Sequence, residues 1–354
     1  MTRRDLLPSP ARLRAPCAAA ALLATIACAR AETHWGAATA EDRDARWSFS
    51  VGALLDLSGT VDETFRAYYR VTGQDAKQSL AESYDLKDFG LDPPYRTFGV
   101  HFDRQWKWTA LRWDFLLLDV SADARAKRNY YIGLGDKVSY KGRRYDHMKI
   151  PEGSDFSVDF SGAMTDLLLS FTPITFELDD GVDLVPSLDL GIALVGGSFE
   201  IDAGPARGTA VYQNPPVDFV VGGDSSSFIG VGAPMAGIGA ELRVGDPGYV
   251  QWITRANVGV FAYDGGTKPF TSSSHREKNL DVTFLSAALD SSVILPMDER
   301  TCLSIGAKLQ LLTLDGDITS REHDDAAIIA ARERFDKAVD LRLIQGSLYL
   351  GITF

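Results

Sequence analysis

Apolar and polar residues alternate with a period of two through most of the chain beyond position 45. In the first such run, Trp47, Phe49, Val51, Ala53, Leu55 and Leu57 are interleaved with Ser48, Ser50, Gly52, Leu54, Asp56 and Ser58. Alternation of this kind places successive side chains on opposite faces of a strand, one apolar and one polar. Extending it predicts ten strands, near 46–60, 95–103, 107–120, 155–177, 184–199, 228–244, 249–263, 280–295, 301–315 and 340–354. One segment breaks phase. Phe156, Val158 and Phe160 give way to Leu167, Leu169 and Phe171, and a bulge near Ser161-Gly162-Ala163 would restore the parity. A tight turn there would instead raise the strand number to twelve, and eight is also compatible with the pattern.

The connections alternate as regularly as the strands. Four are short and rich in turn formers: Asp103-Arg104-Gln105-Trp106, Asp179-Asp180-Gly181, Gly245-Asp246-Pro247-Gly248 and Pro296-Met297-Asp298-Glu299-Arg300. Five are long, at 61–94, 121–154, 200–227, 264–279 and 316–339. A sheet with long loops at one end and tight turns at the other fits a closed membrane barrel with short periplasmic turns and long outer loops, both termini periplasmic. The apolar faces then turn to lipid through Phe98, Val100 and Phe102, Trp113, Phe115 and Leu117, and Leu188, Leu190, Ile192 and Leu194. Trp47, Trp106, Trp108, Tyr249, Trp252 and Phe354 fall near the short-turn ends of strands, where an interfacial aromatic belt is expected.

The last run carries a resemblance. Leu348, Leu350, Ile352 and Phe354 alternate with Ser347, Tyr349, Gly351 and Thr353. It resembles the C-terminal strand of Gram-negative outer-membrane β-barrels, which commonly ends in an aromatic residue and serves as the assembly signal. The resemblance implies that Tyr349 and Phe354 form that signal. It also implies outer-membrane lipid and the barrel-assembly machinery as partners.

The other end agrees. Arg3, Arg4, Arg12 and Arg14 precede an apolar stretch from Ala18 to Ala27, and Ala29-Arg30-Ala31 follows as an A-x-A cleavage site. This reads as a signal peptide over 1–31, then a short periplasmic segment over 32–45 and a barrel domain over 46–354. Removing five arginines and one aspartate takes the net charge from −12 to −16. That acidity argues against nucleic acid and against anionic lipid surfaces. Only Cys302 remains, which excludes an internal disulfide and CxxC chemistry, and no cofactor or metal is expected.

Projecting the parity inward gives a candidate lumen network: Asp56, His101, Arg112, Asp114, Asp189, Glu241, Arg243, Arg255 and Lys308. Apart from His101 it holds four acids and four bases. A bore of about ten strands is little wider than its side chains. Balanced charge there favours a paired plug over an ion-selective pore, which would show one sign. The last outer loop, from Asp324 to Phe335, reads as a short helix with an Asp cap and with Ile328, Ala331 and Phe335 at helical spacing.

Enzymatic readings find little. Ten-stranded barrels include the omptin proteases, and Asp146-His147 and His323-Asp324-Asp325 are the nearest approach to their site, yet no Asp pair at a strand end matches. His101 has no Ser partner, and G-x-S-x-G, HExxH and Gly-rich phosphate loops are absent. The expectation is a monomeric, non-enzymatic all-β barrel with a filled polar lumen, acting structurally or by binding a ligand at its outer loops. A small passive pore and a rim hydrolase are the alternatives.

Overall fold

The computed structural model describes residues 32–35, 46–71, 74–140, 143–204, 208–211, 218–246, 249–266, 276–297, 301–323 and 332–353. Its main strands are β1 (Arg46–Val71), β2 (Tyr95–Gln105), β3 (Thr109–Arg125), β4 (Asp155–Phe171) and β5 (Val182–Asp202). They continue as β6 (Asp224–Val244), β7 (Gln251–Gly266), β8 (Arg276–Pro296), β9 (Cys302–His323) and β10 (Arg332–Thr353). Each pairs antiparallel with the next, and β10 pairs with β1, so the ten strands close into a ring. Closure leaves no free sheet edge in the wall, the condition for a sheet to stand in hydrocarbon. The protein is a closed, ten-stranded antiparallel β-barrel.

The ring is staggered. Directly paired residues run from Glu241 through Arg255, Asp290, Lys308, Ser347, Gly52, Thr97, Leu118, Gly162 and Gly197, and return to β6 at Ile229. Glu241 and Ile229 are twelve residues apart on the same strand. A stagger of this size tilts the strands by roughly 40° and keeps the bore narrow.

The two faces differ as the alternation requires. Phe49, Val51, Phe98, Leu188, Leu190, Ile238, Leu348 and Leu350 project outward and are exposed, whereas Ser48, Ser50, Ser292, Ser304 and Gln345 project inward and are buried. At the end bearing the short turns the outward face carries Trp47, Trp108, Tyr249 and Trp252, all exposed. The turns are built as their composition demands. Gly181 and Gly245 adopt φ of 72° and 103°, and the Asp180 amide donates to Asp179 Oδ1 at 2.9 Å.

Four sequence expectations need correction. The strand foreseen over 155–177 ends at Phe171, and Ile174–Asp179 forms a separate strand that pairs with Glu32–Trp35 and with the start of β5. The bulge at Ser161-Gly162-Ala163 does not exist, because β4 keeps register with β3 from Asp155 to Phe171. The phase change is real and marks a change of surroundings. Phe156 and Val158 face inward and are buried in an apolar core at the loop end, while Leu167, Leu169 and Phe171 face outward.

The bulge lies instead in β1. Its register with β10 slips between Ile344 and Gln345, where Asp56 and Leu54 are the successive partners. Leu54 and Leu57 therefore both pack inward, and Asp56 turns to the outer face. Finally, Arg332–Phe335, expected as the end of a helix, belong to β10, and 324–331 lie outside the described residues. Residues 1–31 and Phe354 also lie outside them.

The long loops are more ordered than their polar sequence suggested. Gln74–Asp85 returns along β1 as a hairpin, and a 3-10 turn, Leu86–Phe89, follows. Gly208–Val211, Asp218–Val221, Arg143–Ile150 and Tyr130–Tyr140 form a small separate sheet.

Candidate functional site

β-Strand tilt brings inward-facing side chains from distant strands to the same depth of the bore. Glu241, Arg255, Asp290 and Lys308 occupy consecutive paired positions on β6, β7, β8 and β9, alternating in sign around the wall. Other contacts cross the bore. Asp103 on β2 accepts from Arg46 Nη2 at 2.8 Å and from Arg255 Nη1 at 2.6 Å, with Arg112 Nε at 3.9 Å. Glu241 accepts from Arg243 Nε at 2.5 Å, from Arg112 Nη2 at 3.4 Å, and from Arg255. Two carboxylates thus gather four arginines from β1, β3, β6 and β7.

A second knot lies beside the first. Asp114 on β3 is held on one oxygen by His101 Nδ1 at 2.5 Å and on the other by the Lys308 ammonium. Tyr349 donates its hydroxyl to Asp290, and Gln310 donates its amide to Asp166. Between the two knots remains a cavity of about 70 Å³, room for a few water molecules.

Toward the loop end the lumen turns apolar. Leu116, Leu118, Met164, Ala193, Ala233, Met235, Phe284 and Leu312 pack across it. Above them Tyr84, Phe89, Tyr130 and Phe156 stack with ring centroids 5.6 to 6.4 Å apart. Arg128 closes this cap, reaching Glu82 Oε2 at 2.9 Å and the Ser83 carbonyl. Lys127 lies 3.0 Å from Asp88, whose hydrogen bond and charge hold the exposed ammonium's pKa above its ordinary value.

Seven of the nine foreseen lumen residues take part in the two knots: Arg112, Glu241, Arg243 and Arg255 in the first, His101, Asp114 and Lys308 in the second. Asp189 is buried at 3% exposure but stands apart from them. Asp56 does not enter the lumen. It faces outward beside Arg342, with Nε at 3.6 Å. Tyr349, expected only as an assembly signal, points inward as a network member.

Arg46, Asp103, Asp166, Asp290 and Gln310 were missed. Arg46 and Asp103 sit where strands outrun the apolar alternation by a residue or two. Asp166 was hidden by the supposed bulge. Asp290 and Gln310 share the parity of buried neighbours and follow from it directly. The enzyme-like fragments fall on different elements. Asp146-His147 lie in the small outer sheet, whereas His323 ends β9 opposite Arg332, and Asp324 and Asp325 lie outside the described residues. Among the described residues no cluster of His, Cys, Asp and Glu is arranged to hold a metal ion.

No protein-family model and no curated protein matches the sequence. Among solved structures, the outer membrane protease OmpT from Escherichia coli is 10% identical with a TM-score of 0.37, covering 88% of this chain and 97% of its own. The Pseudomonas putida toluene transporter TodX is 9% identical with a TM-score of 0.23, covering 88% and 90%. The β-domain of the Bordetella autotransporter BrkA is 13% identical with a TM-score of 0.24, covering 84% and 100%. The architecture assigned above rests on the closed ring itself.

Proposed function

We propose that this outer-membrane β-barrel is closed to solutes and serves as a structural or surface-binding protein, presenting its long loops outside the cell. The observation that carries the reading is the double obstruction of the bore. Charged side chains from opposite walls bind one another across it, and an apolar layer with an aromatic cap fills the space beyond. Moving an ion through would require breaking desolvated ion pairs and then crossing a dry layer, each costing several kcal/mol. Balanced charge in the knots also lacks the single sign of an ion filter.

In this reading the short turns and both termini face the periplasm, and a signal peptide over 1–31 directs export. Phe354 with Tyr349 would engage the barrel-assembly machinery. The barrel needs no cofactor and works as a monomer. Ligand binding belongs to the loop end, where the small sheet and the hairpin of β1 form an ordered surface.

Reconstitution into a planar bilayer tests this. The expected record is flat, without discrete steps, at either polarity. Reproducible conductance steps from the purified barrel would overturn the closed reading and favour a passive pore.

A further inference from the structure

The turn joining β2 to β3 differs in charge from the other short turns. Asp179-Asp180-Gly181, Gly245-Asp246-Pro247-Gly248 and Pro296-Met297-Asp298-Glu299-Arg300 all carry acids. By contrast, β2 runs on to Gln105 and β3 begins at Thr109, so the turn between them is Trp106-Lys107-Trp108, flanked by Arg104. The neighbouring Asp103 is turned inward onto Arg46 and Arg255. In a chain of net charge −12 this is a local reversal of sign.

The turn is rigid. Trp106 N donates to the Thr109 carbonyl at 2.8 Å, and Thr172 N donates to the Trp108 carbonyl at 2.9 Å. The buried Gln105 amide spans the loop, donating to the carbonyls of Trp106 at 2.6 Å and Thr109 at 3.1 Å. On this frame the Arg104 guanidinium lies 5.1 Å from the Trp106 ring centroid, and the Lys107 ammonium 5.7 Å from that of Trp108. Both cations are exposed, and neither forms an ion pair among the described residues. Stacking on indole restrains both side chains and leaves their outward hydrogen-bond donors available.

Arg104 continues the outward face that Phe98, Val100 and Phe102 present to lipid. Beside it, Trp47 packs on Phe102 at 4.8 Å and edge-on to Trp113 at 6.3 Å, and Trp47 remains 40% exposed. An aromatic surface at hydrocarbon level, topped by two restrained cations at headgroup level, matches an anionic amphiphile.

We propose that this turn binds the headgroup phosphate of an anionic phospholipid, with Arg104 and Lys107 on the phosphate and Trp47, Phe102 and Trp113 against its acyl chain. The site rests on the reading that the short turns face the periplasm, where the leaflet is phospholipid. Binding in detergent tests it independently of orientation and of whether the bore conducts.

The detergent-purified barrel is titrated with phosphatidylglycerol or phosphatidylcholine, and bound lipid is counted by native mass spectrometry. Wild type should retain phosphatidylglycerol in preference. R104Q/K107Q should weaken that retention about thirty-fold, since each surface cation contributes about a factor of five. R104K should keep most of it, and added salt should weaken wild type more than the double variant. An unshifted heat-dependent gel mobility confirms that the variants are folded, and R104Q or K107Q alone carries the test if the pair is not. Equal retention of both lipids by wild type, or undiminished phosphatidylglycerol in a folded variant, overturns the proposal.

Discussion

Lys308 on β9 donates to Asp114 on β3, strands separated by β10, β1 and β2 in the ring, so a single ion pair spans the bore. Asp114 meets His101 on its other oxygen, so the carboxylate is held from two walls at once. Removing one partner of a buried pair leaves an uncompensated charge, which costs about 3–5 kcal/mol. K308M should therefore lower stability by that order in urea unfolding from lipid vesicles. K308M/D114L should cost clearly less than the sum of K308M and D114L. Strict additivity of the two single changes would show that the pair is not coupled.

Tyr349 and Gly306 are matched by shape. A Cβ at Gly306 would sit 2.4 Å from Tyr349 Cζ, closer than any real contact. The ring thus lies flat over the glycine and delivers its hydroxyl to Asp290. G306A should destabilise by about 1–3 kcal/mol through overpacking. The penalty should shrink in a Tyr349→Ser background, where the ring is gone, without vanishing, because the Ser291 carbonyl would still stand 2.8 Å from the added Cβ. A penalty undiminished there would assign the whole clash to that backbone rather than to the ring.

Outside the lipid band, four aspartates crowd the outer face. Asp315 is directly opposite Asp340, Asp281 is directly opposite Asp317, and Asp315 and Asp317 share a face of β9. Partial desolvation, then Asp340, Asp317 and Asp281, push the Asp315 carboxyl pKa up. A carboxyl with a raised folded pKa contributes stability below its unfolded pKa and loses it as pH rises through the folded one. D315N should therefore raise the temperature of the heat-dependent gel shift at neutral pH. The gain should be small, a few tenths of a kcal/mol for so exposed a group. It should disappear once the pH falls below the ordinary Asp range. Destabilisation at neutral pH would contradict the assignment.

Much of the barrel was legible because lipid and lumen impose opposite demands on alternate residues. Phe49, Val51, Leu188 and Leu190 against Ser48, Ser50, Ser187 and Asp189 are read directly from that contrast. Where both faces share one environment the signal vanishes. Residues Val61 to Val71 and Gln74 to Asp85 form strands beyond the lipid band, and their polar, mixed sequence read as loop. Phe156 and Val158 inverted the pattern because the loop-end interior is dry. Net charge is an average over the whole chain. It argues against anionic surfaces in general, while Arg104 and Lys107 make one turn locally cationic.

The bulge in β1 decides which face Asp56 occupies, and side-chain accessibility can test it. With unbroken parity Asp56 would follow Ser48, Ser50, Gly52 and Leu54 into the lumen. With the slip it joins Ser58, whose hydroxyl donates to Asp56 Oδ2 at 3.3 Å, beside the half-exposed Arg342. In an otherwise cysteine-free barrel, made with C302S, D56C should react readily with a polar maleimide added to intact vesicles. L54C, whose side chain is 1% exposed, should stay protected until the barrel is unfolded. Charge supplies a second measurement, since R342E should weaken folding slightly and D56K/R342E should recover it, by about 0.2–1 kcal/mol for an exposed pair. Protection of D56C in the folded barrel would return Asp56 to the lumen and remove the bulge.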